Sequence, residues 1–138
     1  MPEFGAKSKI QLSTAHPDLQ KLFNEVVRHA DCTILEGFRG EKLQNKFYDE
    51  GKSKLKFPNG NHNKYPSLAV DVSPYPIDWS NKLKSIARFY HFAGIVKGIA
   101  SQMGLHIRWG GDWDSDYEFT DQTFDDLPHF ELRPRENV

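Results

Sequence analysis

The chain has little cysteine, no long apolar run and no excess of charge of either sign. Its single cysteine, Cys32, excludes an internal disulfide. The Thr33-Ile34-Leu35 stretch after it marks a buried, inert thiol rather than the exposed nucleophile of a cysteine hydrolase. No segment approaches the roughly 20 apolar residues of a membrane-spanning helix. The opening Met1-Pro2-Glu3-Phe4-Gly5-Ala6-Lys7 also lacks the hydrophobic core of a secretory signal. Synthesis in the cytosol, with no signal peptide and no membrane anchor, is therefore expected. A net charge of −1 offers no basic field for nucleic acid.

What is present suits one compact domain spanning 1–138, large enough for a core of its own. Apolar content is modest at 38%, but ten Phe, five Tyr and three Trp can fill that core. The charges are sorted along the chain. Arg39, Lys42, Lys46, Lys52, Lys54, Lys56 and Lys64 crowd residues 39–64 against three acids, whereas residues 112–126 carry seven acids and no base. Two readings fit: solvated loops of opposite sign, or a groove with polarised walls.

Residues 1–6 read as a loose arm. From Pro17, a residue suited to the first helical position, Leu19, Leu22, Phe23, Val26, Val27 and Ala30 recur at helical spacing. Cys32 to Leu35 reads as a short buried strand, residues 41–50 as a helix stopped by Gly51, and 52–67 as a polar loop. Leu68 to Val72 is a second strand, followed by a turn at Pro74-Tyr75-Pro76. The longest helix is expected over about 81–103, with Leu83, Ile86, Ala87, Tyr90, Ile95 and Ile99 as its apolar positions and Gly104 at its end. Gly94 and Gly98 within it predict a close helix–sheet approach, because glycine otherwise costs a helix about 1 kcal/mol. Leu105–Trp109 and His129–Leu132 complete the strands, around an acidic loop at 110–127. The mixture lacks strict βαβ alternation, so the expected class is α+β, with a small, mainly antiparallel sheet and about three helices.

Four residues in two short stretches carry the chemistry: His62 and Asp71 in the first, Asp126 and His129 in the second. Together they offer three ligands for a catalytic zinc, an open position for water, and a carboxylate for that water's proton. Asp71 interrupts the apolar run Ala69-Val70-Asp71-Val72, and a buried carboxylate is costly unless it is paired or binds a metal. A structural ion pair is the competing explanation. Pro128 separates Asp126 from His129 and excludes a continuous helix, so both sit on a turn entering a strand. His16, His29 and His91 belong to ordinary helical surroundings, and His106 to a strand flank.

These stretches also carry a resemblance. Gly37-Phe38-Arg39, Gln44, Gly51-Lys52-Ser53, the His62–Asp71 block, Trp109-Gly110-Gly111-Asp112-Trp113 and Asp126-Leu127-Pro128-His129-Phe130-Glu131 resemble phage endolysins of the zinc D,D-carboxypeptidase and L-alanyl-D-glutamate peptidase family. That family has a VanY-like, hedgehog-type zinc peptidase fold. The resemblance implies one zinc ion on His62, Asp71 and His129, with Asp126 as general base. It makes Arg39 a clamp on the scissile carbonyl or a substrate carboxylate, with Gln44, Ser53 and Trp113 as further substrate contacts; a surface ion pair for Arg39 and helix-surface or loop roles for Gln44 and Ser53 are equally simple. Trp109 is either groove wall or core. The family spacing is His-x6-Asp with an internal glycine. Here eight residues intervene and Pro66-Ser67 takes the glycine region, which makes Asn61 and Asn63 neighbours to place against the metal.

The implied function is hydrolysis of the peptidoglycan peptide stem at the L-alanyl-D-glutamate bond. The enzyme would be a monomeric phage lysis protein, made in the host cytoplasm and reaching the wall through a holin-like pore. The alternatives are a D-alanyl-D-alanine carboxypeptidase, or a non-catalytic zinc-bearing recognition domain, against which Asp126 counts. Asp112, Asp114 and Asp116 also begin like a calcium loop, but Tyr117 and Thr123 stand where that loop needs glycine and glutamate.

Overall fold

A computed structural model describes residues 2–112 and 126–133. The chain runs α1 (Ala6–Ser13), α2 (Pro17–His29), β1 (Cys32–Glu36), α3 (Glu41–Asp49), a 3₁₀ turn (Asn61–Asn63), β2 (Ala69–Pro74), α4 (Leu83–Gln102), β3 (Ile107–Trp109) and β4 (His129–Leu132). The four strands form one antiparallel sheet in the order β1-β2-β4-β3. The α+β reading holds, with one helix more than expected.

That helix is α1. Residues 1–6 do not form a loose arm throughout: Phe4 lies in the core and Ala6 already begins α1. The helix escapes a periodicity search because it buries only Ser8 and Leu12. It is tied down by a polar contact instead, the Ile34 backbone N–H donating to Ser8 Oγ at 3.1 Å. In α2, Pro17 is the first residue, and the His16 ring caps the helix by accepting from the Asp18 N–H at 3.0 Å.

The long helix departs from expectation in its buried face. Ser85, Phe89, Phe92, Ala93, Val96 and Ala100 are buried, while Leu83 is 83% exposed. The helix is apolar on more than one side, so sequence spacing alone does not choose the inner stripe. Gly94 and Gly98 lie on the exposed side, and an added Cβ at either would meet nothing within 4 Å. The expected close approach to the sheet is absent at both positions.

Alternation along β2 and β4 divides the sheet into two unlike faces. Val70, Val72 and Phe130 are fully buried on one face. There the Phe130 ring meets Phe23 and Phe92 edge-on, at centroid distances of 5.6 and 5.9 Å. Burying side chains of this size contributes about 1.5–3 kcal/mol each. Asp71 and His129 are cross-strand partners on the other face, and Glu131 stands opposite Arg108 of β3. A register shift between Ile34 and Glu36 sets Glu36, rather than Leu35, opposite Asp71. This bulge delivers a further acid to the polar face.

Candidate metal centre

Three elements bring one side chain each to the middle of that polar face. The β2–β4 pairing supplies Asp71 and His129, and the 3₁₀ turn supplies His62. The turn is fastened by Arg39 N–H donating to the His62 carbonyl at 2.8 Å, and His62 Nδ1 donates to the Gly37 carbonyl at 2.7 Å. Its Nε2 is thereby left facing inward. It lies 3.3 Å from His129 Nδ1 and 3.3 Å from Asp71 Oδ1, while His129 Nδ1 lies 3.4 Å from the same oxygen.

These three atoms make a nearly equilateral triangle. Ligands on a tetrahedral zinc at about 2.0–2.1 Å stand about 3.3–3.4 Å apart, which matches its edges. Asp71 Oδ1 is buried without a hydrogen-bond partner, although both ring nitrogens lie within 3.4 Å of it. An orphaned carboxylate oxygen between two ring nitrogens is a costly arrangement by itself, and it fits a site shaped for a cation.

The buried charges act directly on one another. Burial alone would raise the Asp71 carboxyl, but the imidazoles of His62 and His129 hold it well below its ordinary range. Burial pulls the His129 ring down, yet Asp71 and Glu131 together push it up to about 9. Asp126 moves the other way: burial and the nearby Asp71 charge raise it to about 6, against the pull of His129, His62 and Arg39. Its Oδ2 lies 3.9 Å from His129 Nδ1, beside the triangle but outside it. The turn that holds it is closed by Asp126 N–H donating to Gly110 O and His129 N–H donating to Asp126 O, at 2.9 and 3.0 Å. Any side chain on Gly110 would collide with the Asp126 carbonyl, so glycine is what lets the base come this close.

Arg39 and Gln44 are both tied into hydrogen bonds with neighbouring side chains. The Arg39 side chain is only 8% exposed. It is paired with Glu36, donates to Gln44 Oε1 at 3.0 Å and to Asp71 Oδ2 at 3.3 Å, and packs over the Phe47 ring. This guanidinium is committed to steadying Asp71. Gln44 is fully buried, accepting from Arg39 and Asn63 and donating to Ser53 Oγ and the Leu55 carbonyl. It therefore ties the 53–63 loop to Arg39 and is closed to substrate, while Ser53 Oγ is also engaged within that loop. Asn63 points into this network and Asn61 bonds Leu68 through its carbonyl, so His62 is the residue of its turn that faces the cluster.

Trp109 is core: it is buried, meets Tyr90 edge-on and donates Nε1–H to the Leu127 carbonyl at 2.7 Å. Asp112 is buried with Oδ2 3.9 Å from Lys97 Nζ. Trp113, Asp114 and Asp116 lie outside the described residues, so the calcium expectation rests on Asp112 alone. His16 and His29 serve α2, whereas His91 and His106 are exposed. Burial pushes the Cys32 thiol up to about 12, as suits an inert core cysteine.

Sequence reasoning assigned no role to Glu131 or Arg108. His129 Nε2 lies 2.8 Å from Glu131 Oε1, and Arg108 donates to Glu131 Oε2 through Nε and Nη2 at 3.0 and 2.7 Å. The signal was available: His129 and Glu131 stand two positions apart on a strand, with Phe130 between them, which puts both on one face.

The sequence model of the phage L-alanyl-D-glutamate peptidases matches residues 2–133. The L-alanyl-D-glutamate peptidase of Escherichia phage T5 is 27% identical over 125 residues, covering 87% of this chain and 88% of the relative. Among solved structures, the L-Ala D-Glu endopeptidase ChiX of Serratia marcescens superposes with a TM-score of 0.71 at 24% identity, covering 95% of this chain and 90% of the other.

Proposed function

Because the chain belongs to the phage L-alanyl-D-glutamate peptidase family, we propose that it hydrolyses the L-alanyl-D-glutamate amide of the peptidoglycan stem, with zinc held by His62, Asp71 and His129. The observation that carries the zinc assignment is the triangle of inward-facing atoms with edges of 3.3–3.4 Å around an orphaned carboxylate oxygen. A zinc ion there would bring the pKa of a coordinated water towards about 7 and polarise the scissile carbonyl.

The chain's own groups do the rest. Asp126 takes the proton of the attacking water and delivers it to the leaving amine. Burial and the neighbouring Asp71 charge raise its carboxyl, which favours its taking up a proton. Arg39 holds Asp71 Oδ2 and so aims Oδ1 at the ion; it positions a ligand, in place of the substrate clamp that the resemblance implied. Among the described residues no helix is long and apolar enough to cross a membrane. We assign the protein to phage lysis as a monomer, acting on the wall after release from the host cytoplasm through a holin-like pore.

Mass spectrometry of purified peptidoglycan after digestion, with zinc-chelated protein as control, tests the reading. New N-terminal D-glutamate together with freed L-alanine carboxyl ends is the expected result. Released D-alanine would move the protein to carboxypeptidase chemistry, and an intact wall from folded, zinc-loaded protein would overturn the proposal.

A further inference from the structure

The two imidazoles of the cluster turn unlike nitrogens inward and are held by unlike acceptors. His62 presents Nε2, with Nδ1 fixed on the neutral carbonyl of Gly37. His129 presents Nδ1, with Nε2 on the carboxylate of Glu131 at 2.8 Å. The second oxygen of that carboxylate takes two hydrogen bonds from Arg108, at 3.0 and 2.7 Å. Glu131 is buried and stands directly opposite Arg108 in the β3–β4 register.

We infer that Arg108 and Glu131 act as a tautomer lock on His129, positioning residues that decide which ring nitrogen is offered to the metal. The reasoning is one of donors and acceptors. A guanidinium only donates, so the group facing it must accept. A carboxylate accepts at both oxygens, so Glu131 satisfies Arg108 with Oε2 and still takes Nε2–H of His129 with Oε1. Once the ring is neutral, its one proton resides on Nε2, and Nδ1 keeps its lone pair towards Asp71 and His62. His62 reaches the same end through a backbone carbonyl, which no side-chain substitution removes. His129 alone depends on a replaceable partner. This inference rests on the zinc reading above.

The test is E131Q, which has one accepting and one donating end. Arg108 claims the accepting oxygen, so the amide NH₂ faces His129 Nε2 and drives the ring proton to Nδ1, where the ion belongs. Zinc affinity, measured by competition with a chromogenic chelator, is expected to fall about 10- to 100-fold. In the double variant R108M/E131Q the glutamine is free to turn its carbonyl to His129, and most of the affinity returns. If the Arg108–Glu131 pair only braced the strands, the two changes would accumulate.

The lock is therefore overturned if E131Q binds zinc as the parent does, or if the double variant binds no better than E131Q. Wild-type protein that takes up no zinc at all overturns the zinc reading and the lock together, which keeps the two failures distinct. One measurement needs no variant, so misfolding of either protein leaves the question decidable. In ¹⁵N-histidine spectra of the zinc-loaded wild type, the lock requires the His129 proton on Nε2, and a proton on Nδ1 would refute it.

Discussion

The two faces of the sheet are built from alternate residues of the same strands and answer to different measurements. Val70, Val72 and Phe130 face the helices and are fully buried; Asp71, His129 and Glu131 face the other way and gather charge. The first set stabilises the fold by removing apolar area from water. The second set costs stability, because several ionisable groups are drawn from water into mutual contact and one carboxylate oxygen is left unbonded. A one-residue slip of β4 against β2 would exchange the two sets, so the packing of Phe130 is also what aims His129.

The sharpest way to separate the faces is to damage each alone. Asp126→Ala is expected to reduce peptidoglycan cleavage about 100- to 10,000-fold while zinc uptake and thermal unfolding stay at the parent's values. A variant of full activity would remove Asp126 from the chemistry. Phe130→Ala attacks the opposite face, deleting the ring that meets Phe23 and Phe92. Urea unfolding should register a loss of about 3–5 kcal/mol, and a loss below 1 kcal/mol would contradict the packing described.

A gentler distinction uses pH. In the metal-free protein His129 keeps its proton up to about 9, and that proton must leave before Nδ1 binds an ion. Apparent zinc affinity should therefore rise with pH, by about tenfold per unit below that value, and buffer-dependent calorimetry should detect the released proton. Affinity flat with pH would mean that His129 enters the site already neutral. The smallest effect belongs to neither face. Gly94→Ala, on the open side of α4, should stabilise the protein by about 0.5–1 kcal/mol without touching activity, read from the same urea curves.

The contrast between the faces also explains what the sequence disclosed. His62, Asp71, Asp126 and His129 stood out because each is polar in a setting that should be apolar or turn-forming, and the structure brings all four together. β2 and β4 were legible from their apolar residues. Gln44 and Arg39 were expected as substrate contacts, and a motif reports that a polar side chain matters, not which protein groups it bonds. Their partners Asn63 and Ser53 come from a later loop, and the register shift that turns the nearby Glu36 towards Asp71 has no signature in a single sequence. Helix α1 was missed for the opposite reason: it buries only one serine and one leucine, too few for any periodicity. On α4 the pattern was present but double, and packing chose the face.

The two inward-facing histidines lie 67 residues apart in sequence, and that separation has a kinetic consequence. Closing a chain loop of this length costs roughly 4 kcal/mol by the logarithmic length law, and the β2–β4 ladder must form before Asp71 and His129 meet. Contacts of such span are made late, after local helices such as α2. On the proposed zinc reading, an ion offered to the unfolded chain is expected to find no assembled site and to slow unfolding instead of seeding folding. In a refolding mixture, zinc uptake should follow the recovery of helical signal, so the ion acts as a reporter of finished molecules.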